Sequence, residues 1–401
     1  MTETLLVVGV LIACFVAYNI GGATTGPAFG PAVGADAISK VTAAALMSVC
    51  FFAGAWTLGR RVVDTLGEGL LAEPGVFTLP VSITVLFFVG GALLVGNLSG
   101  APASTSMTAV GAIVGLGVAA DSVDWSVVGE IALWWLVSPA VGFWVSVMLG
   151  RYCYPLIDRV FAIDQTDGPL VVLERTGPLV RPALGPNTTR REFVGTLVVV
   201  AIGCLMAFSS GTSNVANAIA PLVGSGELGM NVGILVGSAA VAVGAFTIAR
   251  RTMETLGNDI TDLPLTAAIV VAVVSSTIVV ALSAAGIPAS FVVIATMSIV
   301  GLGWGQATRT FTVADAVRGR ANPRVSVGAL TSDEDAPTVG DPAMAGEGAT
   351  SGIGEESSED LPDSSELFDP STTVRVVAMQ NLVPLAATVG SYATFEVLFF
   401  G

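Results

Sequence analysis

Long apolar runs alternate with short polar breaks along this chain. Runs approaching the roughly 20 residues that cross about 30 Å of hydrocarbon fall at 3–20, 40–59, 79–98, 102–120, 127–149, 193–210, 231–249, 265–285, 288–305 and 372–399. The pattern predicts ten transmembrane helices. The runs 79–98 and 102–120 are separated only by Ser99-Gly100-Ala101, which predicts a tight helical hairpin, and 265–285 with 288–305 reads the same way. Two stretches break the pattern. Residues 208–226, from Phe208 through Gly211-Thr-Ser-Asn214-Val-Ala-Asn217 to Gly226, are small, polar and glycine-punctuated, with no charge before Glu227. Residues 18–36 repeat the arrangement and end on Asp36. Irregular backbone at membrane depth is tolerated only where protein or a water-filled cavity satisfies it. Residues 21–36 and 211–228 are therefore expected to be re-entrant, each entering and leaving the same face.

The chain repeats itself. At an offset of 190, Ala53-Gly-Ala-Trp-Thr-Leu-Gly-Arg-Arg-Val-Val-Asp-Thr-Leu-Gly67 aligns with Val243-Gly-Ala-Phe-Thr-Ile-Ala-Arg-Arg-Thr-Met-Glu-Thr-Leu-Gly257. At 186, Pro102-Ala-Ser104 meets Pro288-Ala-Ser290, and at 245 Pro139 meets Pro384. Five spans per half is an odd number, so the second half must insert upside down. The fold class expected is an all-α polytopic membrane protein of two inverted five-helix repeats, with a site near the midplane where they meet. The repeats occupy 1–149, and 193–305 with 372–401. Between them lies a loop at 150–192, with a small hairpin around Leu170-Val-Val-Leu-Glu and Pro178-Leu-Val. Residues 331–370 carry acids and no base, so the second loop, 306–371, is expected to be a disordered, solvated linker.

Composition sharpens this picture. Of 401 residues, 53% are hydrophobic and only 12% charged, against about 25% charged in soluble domains. The 16 bases and 31 acids give a net charge of −15, and no basic stripe exists for nucleic acid. The absence of histidine removes His ligands, His bases and His proton relays together. Cys14, Cys50, Cys153 and Cys204 have no metal-binding spacing and read as packing residues. With the N-terminus outside, only Arg60 and Arg61 of the 16 bases fall outside, so the positive-inside rule predicts both termini outside the cell membrane.

The candidate chemistry is polar and uncharged. Thr24, Thr25, Thr212, Ser213, Asn214 and Asn217 lie in the two glycine-rich stretches, and Ser104, Thr105, Ser106 and Ser290 at the helix starts after Pro102 and Pro288. Hydroxyls and amides donate to anion oxygens, and a helix starting inside the membrane adds free N–H groups and a positive dipole end. Such residues also commonly bond back to their own helix. Asp36 and Glu227 close the repeated stretches and are candidates for a gate or cation role. An intramembrane hydrolase is disfavoured, since a His base, a paired in-span carboxylate and a Gly-X-Ser-X-Gly elbow are all lacking.

These residues resemble the inorganic phosphate transporter (PiT) family. Gly211-Thr-Ser-Asn214-Val-Ala-Asn217-Ala-Ile-Ala-Pro221 is similar to its Gly-Ala-Asn-Asp-Val-Ala-Asn-Ala signature, and Gly21-Gly-Ala-Thr24-Thr-Gly-Pro-Ala-Phe-Gly30 is a degenerate copy. Pro102-Ala-Ser104-Thr105-Ser106 resembles the family's Pro-X-Ser-Thr/Ser-Thr-His element without its His. The resemblance implies a cation-coupled permease, driven by Na+ or H+, that holds phosphate at the pseudo-symmetric centre through these signatures. At the family's Asn-Asp positions this chain has Ala23-Thr24 and Ser213-Asn214. Any Na+ site near Thr24 and Asn214 would then lack the carboxylates a hard cation prefers, and sulfate becomes the alternative anion. No other cofactor is implied. Partners are the anion and lipid, and a homodimer is allowed. A sensor or scaffold of the same fold is the reading from another class.

Overall fold

A chain in hydrocarbon must pair its backbone polar groups within itself, which a helix does locally. The computed structural model of the protein describes residues 2–34, 38–73, 75–98, 104–161, 171–176, 179–184, 189–259, 265–308 and 370–400. The first half contributes α1 (Thr2–Gly34), α2 (Lys40–Gly69), α3 (Leu79–Leu98), α4 (Thr105–Ala119) and α5 (Trp125–Met148). The second contributes α6 (Arg190–Gly224), α7 (Met230–Asp259), α8 (Leu265–Ala284), α9 (Phe291–Ala307) and α10 (Pro370–Phe395). Helix α2 passes through π-helical turns at Ala55–Gly59 and Thr65–Gly69, and α5 continues through another at Leu149–Cys153 into Tyr154–Phe161. Eight of the described helices are long and apolar enough to span a membrane. The exceptions, α4 and α9, have 15 and 17 residues, or about 22 and 25 Å at 1.5 Å per residue. Leu11, Leu133, Leu136, Trp144, Leu385 and Leu398 are exposed on the outside of the bundle, as lipid contact requires. The chain is a multi-pass membrane protein.

The expected re-entrant stretches are not irregular. The first continues as helix to Gly34, and the second is the C-terminal part of the 35-residue helix α6. Two effects keep them helical. Their hydroxyls bond back to the preceding turn: Thr24 Oγ1 donates to Ile20 O at 2.8 Å, Thr25 Oγ1 to Gly21 O at 2.6 Å and Thr212 Oγ1 to Ser209 O at 2.7 Å. Their glycines are where neighbouring backbones touch. A Cβ on Gly211 would land on the Phe51 carbonyl oxygen, and one on Gly224 on that of Gly67.

These glycine contacts come in matched pairs. Gly21 lies against the Val241 carbonyl, and Gly211 against that of Phe51; the offset of 190 turns one contact into the other. Gly54 against Phe208 and Gly244 against Tyr18 form a second such pair. Gly115 against Thr388 and Gly301 against Phe143 form a third, related by 186 and 245. So α1 packs on α7 as α6 packs on α2, and α4 packs on α10 as α9 packs on α5. The main apolar core, including Phe29, Met47, Phe51, Ile113, Ile219 and Ile234, runs across both halves.

Between the halves, Val171–Thr176 and Leu179–Leu184 pair as an antiparallel hairpin, β1 and β2. It lies where the sequence predicts a hairpin. The acidic linker expected over 306–371 and Asp36 lie outside the described residues, apart from the end of α9 and the first residues of α10, Pro370 and Ser371, which are helical. Glu227 is exposed in the turn after α6.

A polar knot at two helix starts

On α6, Ser210, Ser213, Asn214 and Asn217 recur at i, i+3, i+4 and i+7, the spacing of one helical face. Opposite this face stand the first turn of α4 and the loop leading into α9. Ser104 is the N-cap of α4, accepting from Met107 N–H at 3.2 Å. Ser290 caps α9 in the same way, accepting from Val293 N–H at 3.4 Å. Both satisfy donors that a helix start leaves open.

The two starts are tied together through Ala289. Ser106 Oγ donates to its carbonyl oxygen at 3.0 Å, and Ser213 Oγ to the same oxygen at 2.9 Å. Ser213 Oγ also accepts from Ala289 N–H at 3.2 Å, and the two hydroxyls are 3.2 Å apart. Trp135 Nε1 donates to Pro288 O at 2.8 Å and steadies the loop from α5. One step away, Thr105 Oγ1 donates to Asn214 Oδ1 at 2.6 Å, and Asn214 Nδ2 to Ser210 Oγ at 2.9 Å. Asn217 Nδ2 reaches Asn214 Oδ1 at 3.3 Å and Ser106 Oγ at 3.4 Å. Ser213 and Asn217 are each 1% exposed.

The structure thus brings Ser104, Thr105, Ser106, Ser213, Asn214, Asn217 and Ser290 to one place. Thr212 bonds Ser283 Oγ at 3.0 Å on the α8 side. Thr24 and Thr25 hold their own helix, as described above. Sequence reasoning missed Ser283 and the Ala289 backbone; a main-chain group has no sequence signature, and Ser283 is one serine among many in apolar helices. The clasp is also asymmetric. The counterparts of Ser106 and Ser213 in the other half are Val292 and Ala23, which have no hydroxyl to offer.

No side chain in this knot is ionisable. Among the described residues no group of three or more His, Cys, Asp or Glu could hold a metal ion. Thr24 Oγ1 is engaged with Ile20, and Asn214 Oδ1 already accepts two hydrogen bonds. What the knot offers is hydroxyls, amides and two positive helix ends, a chemistry matched to an anion.

Fold and centre together define a class: a helical membrane protein whose halves exchange partners around an uncharged, anion-suited core. The same fold occurs in the solved structure "The sodium-dependent phosphate transporter", with a TM-score of 0.61 and 19% identity, covering 98% of this chain and 100% of that one. The model of the phosphate transporter family matches residues 20–328, and the chain belongs to that family. The sulfate permease CysP of Bacillus subtilis is 31% identical over 295 residues, 73% of this chain and 76% of that protein. A protein of Pyrococcus furiosus named provisionally as a phosphate permease is 25% identical over 371 residues, 76% of this chain and 88% of that protein.

Proposed function

We propose that the chain is a secondary active permease that carries inorganic phosphate across the cell membrane by alternating access. The observation that carries the reading is the meeting of two helix starts, α4 and α9, over the neutral polar face of α6. Each start contributes the positive end of a helix dipole, and hydroxyls and amides supply directed donors. A neutral frame binds an anion without holding it so tightly that release fails.

The short helices support an extension of this reading. Helices α4 and α9 fall short of the hydrocarbon thickness, and the first turn of α4 meets the loop just before α9 at the same knot. The reading places α3–α4 and α8–α9 as hairpins that enter from opposite faces and meet at depth. That leaves α1, α2 and α5 crossing in one half and α6, α7 and α10 in the other. Three crossings per half is odd, so inversion and two outside termini are retained.

The second reading is sulfate. It is favoured by the absence of carboxylate from the knot and by the Bacillus relative named as a sulfate permease. Coupling is part of the proposal, with Na+ or H+ as the driving ion. Lipid surrounds the exposed apolar perimeter, and a homodimer is compatible with it.

Uptake of labelled phosphate and sulfate into proteoliposomes of the purified chain, with and without Na+ and a pH gradient, tests all of this. Gradient-driven phosphate uptake that is lost in Asn214→Ala is the expected result. No uptake of either anion under any gradient would sink the permease and leave a sensor or scaffold.

A further inference from the structure

One acceptor in the knot has no donor. Asn217 Oδ1 is buried and makes no hydrogen bond, although the residue is 1% exposed. An unmade hydrogen bond at such depth is costly, and it marks a place where a partner is expected. The orientation of the amide follows from its neighbours. Asn214 Oδ1 accepts from Thr105 Oγ1, so the Asn217 atom 3.3 Å from it must be a donor, Nδ2. Ser106 Oγ spends its proton on Ala289 O, so it too meets the Asn217 amine. The carbonyl oxygen is what remains, turned away from both.

The rest of the knot has the opposite character. Hydroxyls and amine groups can donate to any tetrahedral oxyanion, and Ser209 Oγ on the same helix is likewise buried without a partner. Donors alone cannot tell phosphate from sulfate. An acceptor can, because at neutral pH phosphate carries at least one P–OH hydrogen and sulfate carries none. A sulfate oxygen set against an amide oxygen gains nothing and meets repulsion. A site built to bond a substrate hydroxyl rejects the analogue that lacks it more strongly than shape alone allows.

We propose that Asn217 Oδ1 accepts the P–OH hydrogen of a bound phosphate ion and so makes Asn217 the residue that selects protonated tetrahedral oxyanions over sulfate. The inference rests on the oxyanion-permease reading and deepens it. A bound Na+ is the competing occupant. A hard cation needs several oxygens, and the neighbouring Asn214 Oδ1 is already engaged by two donors.

The test is equilibrium binding of labelled phosphate to the purified full chain, competed by arsenate, sulfate and selenate at neutral pH. Arsenate keeps an As–OH hydrogen, whereas sulfate and selenate have none. The wild type is expected to prefer phosphate and arsenate by roughly ten-fold or more, the scale of one lost hydrogen bond at a buried acceptor. Asn217→Ala should shrink the ratio of phosphate to sulfate affinity several-fold even where both affinities fall, and a monodisperse gel-filtration profile with a cooperative thermal transition in detergent shows that the variant is folded. Asn217→Ser, whose shorter side chain cannot reach the same place, serves if the alanine variant does not fold. Equal affinities in the wild type, or a preference unchanged in the variants, would overturn the proposal. A preference that vanishes when choline replaces Na+ would also overturn it, by making the occupant a cation. Selective binding without uptake would sink the permease reading and leave this assignment standing.

Discussion

Ser213 holds Ala289 by both its backbone atoms, and Ser106 holds the carbonyl a second time. Ser106→Ala alone leaves the carbonyl bonded to Ser213 and is expected to cost about 1 kcal/mol. The double replacement of Ser106 and Ser213 by alanine strands a buried carbonyl, and the loss should exceed the sum of the single effects. A double-mutant cycle on thermal unfolding in detergent checks this, and an additive result would contradict the clasp. Thr25 gives the opposite expectation. Its hydroxyl serves the Gly21 carbonyl of its own helix, so Thr25→Ala should leave phosphate uptake near wild type. The polar run at 212–214 and Asn217 was legible because several hydrogen-bonding residues in succession exceed what packing asks of a helix. Thr24 and Thr25 were equally polar in sequence. Their bonds back to α1 depend only on local helix geometry, and no neighbouring run of polar residues distinguishes one use from the other.

At the scale of elements, the glycines decide which helices touch. Gly21, Gly211, Gly54 and Gly244 each face a carbonyl of another helix, where a methyl group would collide with backbone. Alanine at Gly211 must push α6 off α2, at a cost of about 1–3 kcal/mol from overpacking. Gly303 meets nothing within 4 Å, so Gly303→Ala should be neutral or stabilising by up to about 1 kcal/mol through lower chain entropy. Melting temperatures of the two variants in the same detergent make the comparison. Equal shifts would contradict the close approach. The same glycines explain why the stretches 21–36 and 211–228, expected from sequence to be re-entrant, continue instead as helix to Gly34 and Gly224. Glycine both breaks helices and lets them pack closely, and the sequence contains no mark of which. The hairpins went the other way: hydropathy reads α4 and α9 as full spans, whereas their shortness and their meeting at one knot became visible only in three dimensions.

For the whole molecule, the reading of an inverted pair of halves predicts sidedness. A single cysteine at Ser225, in the turn after α6, should react with a membrane-impermeant maleimide from outside intact cells when the four native cysteines are replaced. One placed in the β1–β2 hairpin, at Thr176, should react only after permeabilisation. The reverse pattern would flip the topology, and labelling of both from one side would remove the inversion. The order of ten apolar elements, the internal offsets of 190, 186 and 245, the lack of histidine and the uncharged candidate set were all determined by the sequence, because hydrophobic periodicity and repetition are properties of the chain itself. Tertiary structure decided the rest. It joined the glycine-rich stretches into continuous helices, placed the start of α4 against the loop before α9, fastened that loop through a backbone carbonyl and left one amide oxygen without a donor. Each of these depends on groups brought together from the two halves of the chain, whose distances are fixed only when the halves pack.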